Sequence, residues 1–137
     1  MKTCNISGHV CPWWLAYTFD NRFRRFFHNP EQILGPYTAK GMTVLDVGCG
    51  MGFFSIGLAR LVGDNGSVVA ADLQPQMLKT LKKRAEKAGV SKIIRLHQSQ
   101  TNQLGVATPV DFVLAFWMVH EVRDPKSFFS EIYPAVA

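Results

Sequence analysis

Cysteine is scarce in this 137-residue sequence: Cys4, Cys11 and Cys49 are an odd set, and the last sits among glycines. That leaves no basis for a disulfide framework and favours reduced thiols. Cys4, His9 and Cys11 have metal-capable side chains but no clear fourth ligand, so no metal site is expected. Long apolar runs are missing too. Nothing reaches the ~18 residues that cross a bilayer, and residues 1–14 lack the charged-then-apolar layout of a secretory signal. A cytoplasmic protein with no membrane partner is the expectation. Charge is also thin, at 18% of residues with a net +5. The fifteen basic residues are dispersed rather than massed in one stripe, so nucleic acid is not the expected partner. Repeats and low-complexity tracts are absent as well, which excludes solenoids and arrays.

What is present is 47% hydrophobic content, enough at this length for one compact core and not for two. From Trp13 to His28, apolar residues Leu15, Phe19, Phe23, Phe26 and Phe27 recur at helical spacing, with Asp20, Arg22, Arg24 and Arg25 on other faces. Asn29-Pro30-Glu31 reads as a cap, a first helical position and a first-turn acid, opening a short helix to about Leu34 or Tyr37. Thr43–Val47 is short, apolar and β-branched, as a doubly covered strand would be. Further strands are expected at Ser67–Ala71, Lys92–Leu96 and Val110–Ala115, and helices at Phe53–Leu61, Pro75–Ala88 and Lys126–Ile132. This alternation predicts an α/β fold, a parallel sheet with helices on both faces and right-handed crossovers. The bland reading of Lys79, Lys82, Lys83, Arg84 and Lys87 is the solvated face of one of those helices.

In such a sheet ligands bind beyond the carboxyl ends of the strands, so the loop after the first strand is the expected site. It carries Gly48, Gly50 and Gly52 at alternate positions, which permit a tight turn and close approach of a ligand. Asp72 ends the second strand, where a carboxylate can accept from both hydroxyls of a ribose. A nicotinamide dinucleotide would need glycine at position 53, where Phe53 stands. S-adenosylmethionine has no phosphates and carries a sulfonium cation, to which the acid Asp46 is helpful rather than repulsive.

The stretch Val44–Gly52 resembles motif I of class I (Rossmann-like) S-adenosylmethionine-dependent methyltransferases, and Val68–Asp72 with Met77-Leu78 is similar to the strand and helix that follow it. Val110–Phe116 and His120–Pro125 resemble the fourth-strand segment of the small-molecule branch. The resemblance covers about residues 40 to 133. It implies that Asp46, Gly48, Cys49, Gly50, Gly52 and nearby backbone hold the methionine part of the cofactor, that Asp72 binds the ribose and that Leu73 flanks the adenine. Phe116 would close the pocket. The family often places an adenine-reading aspartate after the third strand; this chain has Ser99 there, and Ser99 or Gln100 could accept that bond.

The resemblance further implies residues 1–38 as an amino-terminal helical lid on a 42–133 cofactor-binding core. It also implies a seven-stranded sheet, order 3-2-1-4-5-7-6, of which four strands are found. The expectation is therefore a chain truncated after the fourth strand and its helix, with an apolar edge that a homodimer would cover. His120 and Glu121 are candidate proton acceptors, with helix entry or packing the plain alternative for His120. The expected reaction is in-line methyl transfer to a small-molecule acceptor of unspecified atom, leaving S-adenosylhomocysteine. A nicotinamide-dependent dehydrogenase and a non-catalytic nucleoside-binding module are the rival readings.

Overall fold

The computed structural model describes residues 29–116, 118 and 122–136. The predicted helix over 13–28, the Cys4, His9, Cys11 group and both His120 and Glu121 lie outside the described residues. Four parallel strands form one sheet in the order β3-β2-β1-β4. They are β1 (Thr43–Val47), β2 (Ser67–Asp72), β3 (Ile94–Gln98) and β4 (Phe112–Leu114). Helices α1 (Pro30–Leu34), α2 (Phe53–Val62), α3 (Pro75–Lys87) and α4 (Pro125–Ile132) connect and cover them.

Alternation along β1 divides the core into two layers. Val44 packs with Val68 and Ala70 of β2 against Leu58 of α2 and Leu81 of α3. Leu45 and Val47 join Val69, Ala71 and Val110 on the opposite face, under Ile132 of α4. Period-2 strands clothed on both faces explain the near-continuous apolar runs in β1 and β2. Caps fix the helix starts. The Asn29 side chain accepts from the Glu31 amide at 3.0 Å, and Asp124 accepts from the Lys126 and Ser127 amides at 3.1 and 3.3 Å. α1 lies on α2 through the close approach of Pro30 to Gly57 and an exposed Arg60–Glu31 ion pair at 3.3 Å.

Two strands differ from the sequence expectation. β3 starts two residues later than Lys92, because the Ile93 amide donates to the Val90 carbonyl and closes a turn that extends the exit from α3. β4 is three residues long rather than six. Its ladder begins where Phe112 faces Val44. One residue earlier, the Asp111 amide donates to the Thr43 carbonyl while its carboxylate accepts from the Thr43 amide at 2.8 Å. Val110, fully buried, donates to the Ala135 carbonyl at 2.7 Å and forms a parallel bridge with Val136. The edge is therefore paired at Val110, two residues ahead of β4.

The glycines of the 48–52 turn have unequal roles. Gly52 is buried with φ +88, and a Cβ there would lie 1.9 Å from Leu81 Cδ1, so it is the point at which α2 and α3 pack. Gly89, which ends α3 with φ +74, has open space where its Cβ would be. Gly89→Ala should therefore cost only the left-handed backbone term, about 1 kcal/mol, and Gly52→Ala that term plus overpacking, about 3 kcal/mol. Urea unfolding of both variants checks this; equal losses would contradict it.

Candidate cofactor site at the tips of β1 and β2

β1 ends at Val47, and the chain turns back at once over the tip of β2. The amides of Gly48 and Cys49 both donate to the Ala71 carbonyl, at 2.8 and 3.0 Å. The Gly50 amide donates to Asp72 Oδ2 at 2.9 Å. Asp72 Oδ1 accepts from the Gln74 amide, also at 2.9 Å. Each carboxylate oxygen so engaged keeps a second acceptor site, so this bracing leaves Asp72 able to accept further hydrogen bonds. At Gly50, φ is +55 and a Cβ would meet nothing within 4 Å, so here the backbone is open to an incoming group. Gly48 is close to Met118, whose Cβ would lie 2.8 Å from a Gly48 Cβ. The segment after β4 thus borders the turn.

Around this centre the other predicted residues are distributed unevenly. Leu73 follows Asp72 and is half-buried. The Ser99 amide donates to the Asp72 carbonyl at 3.0 Å, which brings the end of β3 to the same rim. Its Oγ is buried and has no hydrogen-bond partner among the described residues. Gln100 is exposed, and its backbone closes a small antiparallel bridge with Gln103. Phe116 packs against Phe54, at the start of α2, with ring centroids 4.6 Å apart and planes tilted by 56°. Cys49 is buried, and its thiol is pushed well above the ordinary cysteine range by burial and by the neighbouring Asp46 and Asp72 carboxyls. It is a poor nucleophile in that state.

Asp46 points from β1 toward α2. It is 3% exposed, and Ser55 Oγ, itself fully buried, donates to its Oδ2 at 2.6 Å. Burial raises the Asp46 carboxyl to about 7; the Ser55 bond acts against that rise and the Asp72 charge adds to it. Burial also raises Asp72, opposed by the backbone donors at Gln74, Gly50 and Leu73. Ser55 was not among the expected site residues. Its sequence signal is a small hydroxyl within the apolar stretch Phe53–Ala59, which packing alone would not call for.

This geometry is matched by the comparisons with known proteins. Residues 44–137 fit the model of a family described as a methyltransferase domain. The chain belongs to that family. A ubiquinone biosynthesis O-methyltransferase of Methylobacterium sp. (strain 4-46) is 35% identical over 117 residues, which are 85% of this chain and 44% of the relative. A protein-L-isoaspartate O-methyltransferase of Methanococcoides burtonii is 29% identical over 86 residues, 63% of this chain and 42% of the relative. The crystal structure of a SAM-dependent methyltransferase from Aquifex aeolicus superposes with a TM-score of 0.83 at 30% identity, covering 93% of this chain and 68% of that one. The chain thus spans under half the length of these two curated relatives. The domain is a class I, Rossmann-like methyltransferase fold and its cofactor is S-adenosylmethionine; the dehydrogenase reading finds no support.

The residues present fit that cofactor on their own chemistry. The turn offers open backbone at Gly50, a braced carboxylate at Asp72 and an orphaned hydroxyl at Ser99, with no cation that would favour pyrophosphate among these groups.

Asp46 also sets a pH dependence. Its ordinary value is 3.8 and its folded value about 7, so between these the folded protein holds a proton that the unfolded chain has lost. Stability from this group therefore falls as pH rises through that window and stays low above it; Asp72 contributes with the same sign. Asp46→Asn should raise the melting temperature at about pH 8, with the gain shrinking toward about pH 4. Thermal unfolding across that range measures it, and a pH-independent difference would contradict the assignment.

Proposed function

We propose that the chain is the cofactor-binding core of an S-adenosylmethionine-dependent methyltransferase that acts on a small-molecule acceptor. The observation that carries this reading is the hydrogen bond from the Gly50 amide to the Asp72 carboxylate, which joins the glycine turn and the strand-end acid in one cradle. Asp72 is assigned the ribose hydroxyls, and the open backbone at Gly50, with the adjoining Gly48 and Cys49, the methionine part. Asp46 lies behind that turn as its charge partner. Leu73 is assigned one face of the adenine, and the unpartnered Ser99 hydroxyl its amino group, ahead of the exposed Gln100. Gly52 supports the turn through its packing on Leu81. Phe116, held by Phe54, closes the side of the pocket toward β4.

Bound S-adenosylmethionine would supply a methyl group already activated by its positive sulfur. The residues of this chain then need only to bind, orient and exclude water, so positioning is the main source of acceleration. No side chain is needed as a nucleophile, which agrees with the suppressed reactivity of the Cys49 thiol. His120 and Glu121 are proposed as proton acceptors for the incoming group.

A small-molecule acceptor is supported by the relative named for ubiquinone biosynthesis, whereas the isoaspartate relative is named for a protein substrate. The dispersed basic residues give nucleic acid no binding stripe. Among the described residues no helix is long and apolar enough to cross a membrane. A cytoplasmic location, and a homodimer that covers the edge of β4 beyond Val110, complete the proposal.

The test begins with equilibrium dialysis against labelled S-adenosylmethionine and, separately, NAD. The chain should retain the first and not the second, and Asp72→Asn should weaken retention about tenfold or more, as loss of a charged acceptor for two hydroxyls implies. Label transferred from the cofactor in a cell extract should then appear in the small-molecule fraction. Retention of NAD instead would overturn the cofactor assignment, and label confined to protein would overturn the acceptor class.

A further inference from the structure

Buried carboxylates in folded proteins are normally balanced by a cation or by several donors, because an isolated charge is expensive to desolvate. Asp46 has neither. The described residues contain one ion pair, Arg60–Glu31, which is exposed and belongs to the outer surface of α1 and α2. Asp46 receives a single side-chain hydrogen bond, from Ser55. The ionisable groups that bear on it are Asp72 on β2 and the Cys49 thiol in the turn, an acid and a neutral group. β1's other neighbour, β4, presents only Phe112, Val113 and Leu114. Among the described residues, burial and the Asp72 charge oppose the ionisation of Asp46 and one hydroxyl favours it, in a place two residues behind the turn assigned to a cation-bearing ligand.

We propose that the Asp46–Ser55 pair is a charge-selective device that makes the site prefer the sulfonium cofactor to its neutral thioether product, with Ser55 as the positioning residue that holds the carboxylate ready to ionise. The inference rests on the proposed cofactor assignment of the turn. S-adenosylmethionine carries one more positive charge than S-adenosylhomocysteine, and that charge is lost when the methyl group leaves. With the sulfonium bound, the cation supplies the balance that the protein does not, and Asp46 gives its proton to solvent. After transfer the sulfur is neutral and only the α-ammonium common to both ligands remains, so the balance is weaker and the carboxyl takes a proton back from solvent. The product is thereby left with the weaker hold, which favours its release. Placing the acid in the core rather than at the surface strengthens this discrimination, because charges buried together are less screened by water and salt.

Calorimetric titration of the full 137-residue chain with S-adenosylmethionine and with S-adenosylhomocysteine, in two buffers of different ionisation heat, tests the proposal. Below neutral pH the sulfonium ligand should release a proton on binding and the thioether should release markedly less. The ratio of the two affinities should rise roughly tenfold in favour of the sulfonium between about pH 6 and about pH 8. Asp46→Asn should abolish both effects, and it also subtracts any titration of the ligands themselves. Ser55→Ala should move the midpoint of the transition to higher pH, since the lost hydrogen bond favoured the ionised carboxylate. A simple packing role for Ser55 would not shift that midpoint. Should Asp46→Asn fail to fold, proton release by the unaltered chain and the Ser55→Ala shift still decide. If both ligands bind with equal proton release and a pH-independent ratio, the proposal is overturned while the cofactor assignment stands. If neither ligand binds, both are overturned.

Discussion

The structure depends on the way the first strand's exit turn is laid over the tip of the second. Two amides, of Gly48 and Cys49, converge on one carbonyl at Ala71, and a third, of Gly50, reaches the Asp72 carboxylate. These bonds answer the donors that a sharp strand-to-helix turn would otherwise leave unpaired. They also fix where α2 begins, with Gly52 wedged against Leu81 of α3. The site is not an addition to a finished fold; the bonds that seat α2 on the sheet are the ones that set Asp72 beside the open backbone of Gly50.

The same constraint explains the distribution of polarity. Both layers of the core are apolar almost throughout, and the two buried polar or charged residues among the described ones, Asp46 and Ser55, are hydrogen-bonded to one another just behind the turn. An acid in a doubly covered strand is costly, so its place here calls for a compensating role. The ligand chemistry supplies one, since a sulfonium is among the few biological cations that bring no phosphate with them.

Much of this was legible in the sequence, because the signals were local. The β-branched run Thr43–Val47, the alternating glycines and Asp72 pointed to a candidate site before any coordinates, and the structure brings the turn and Asp72 together. Asn29, Pro30, Pro75 and Asp124 marked helix starts, which the structure shows at Pro30, Pro75 and Pro125. What escaped notice depends on partners distant in the chain. The limits of β4 are set by the start of β1 at Thr43 and by the competing bridge to Val136, and the start of β3 by a turn hydrogen bond to Val90. Ser55 was unremarked because its contact with Asp46 follows from the rotation of α2 over the sheet, which periodicity does not give. The three glycines looked equivalent in sequence and are distinguished only by what a Cβ would meet.

The central claim is that the turn, Asp72 and the end of β3 form one adenosyl cradle, and mapping amide shifts by NMR during titration with S-adenosylhomocysteine addresses it most directly. The account predicts that the largest shifts fall together on Gly48, Gly50, Asp72, Leu73 and Ser99, with the α4 layer little changed. Shifts concentrated on the α4 face, or on Ser99 without the 48–50 turn, would contradict it.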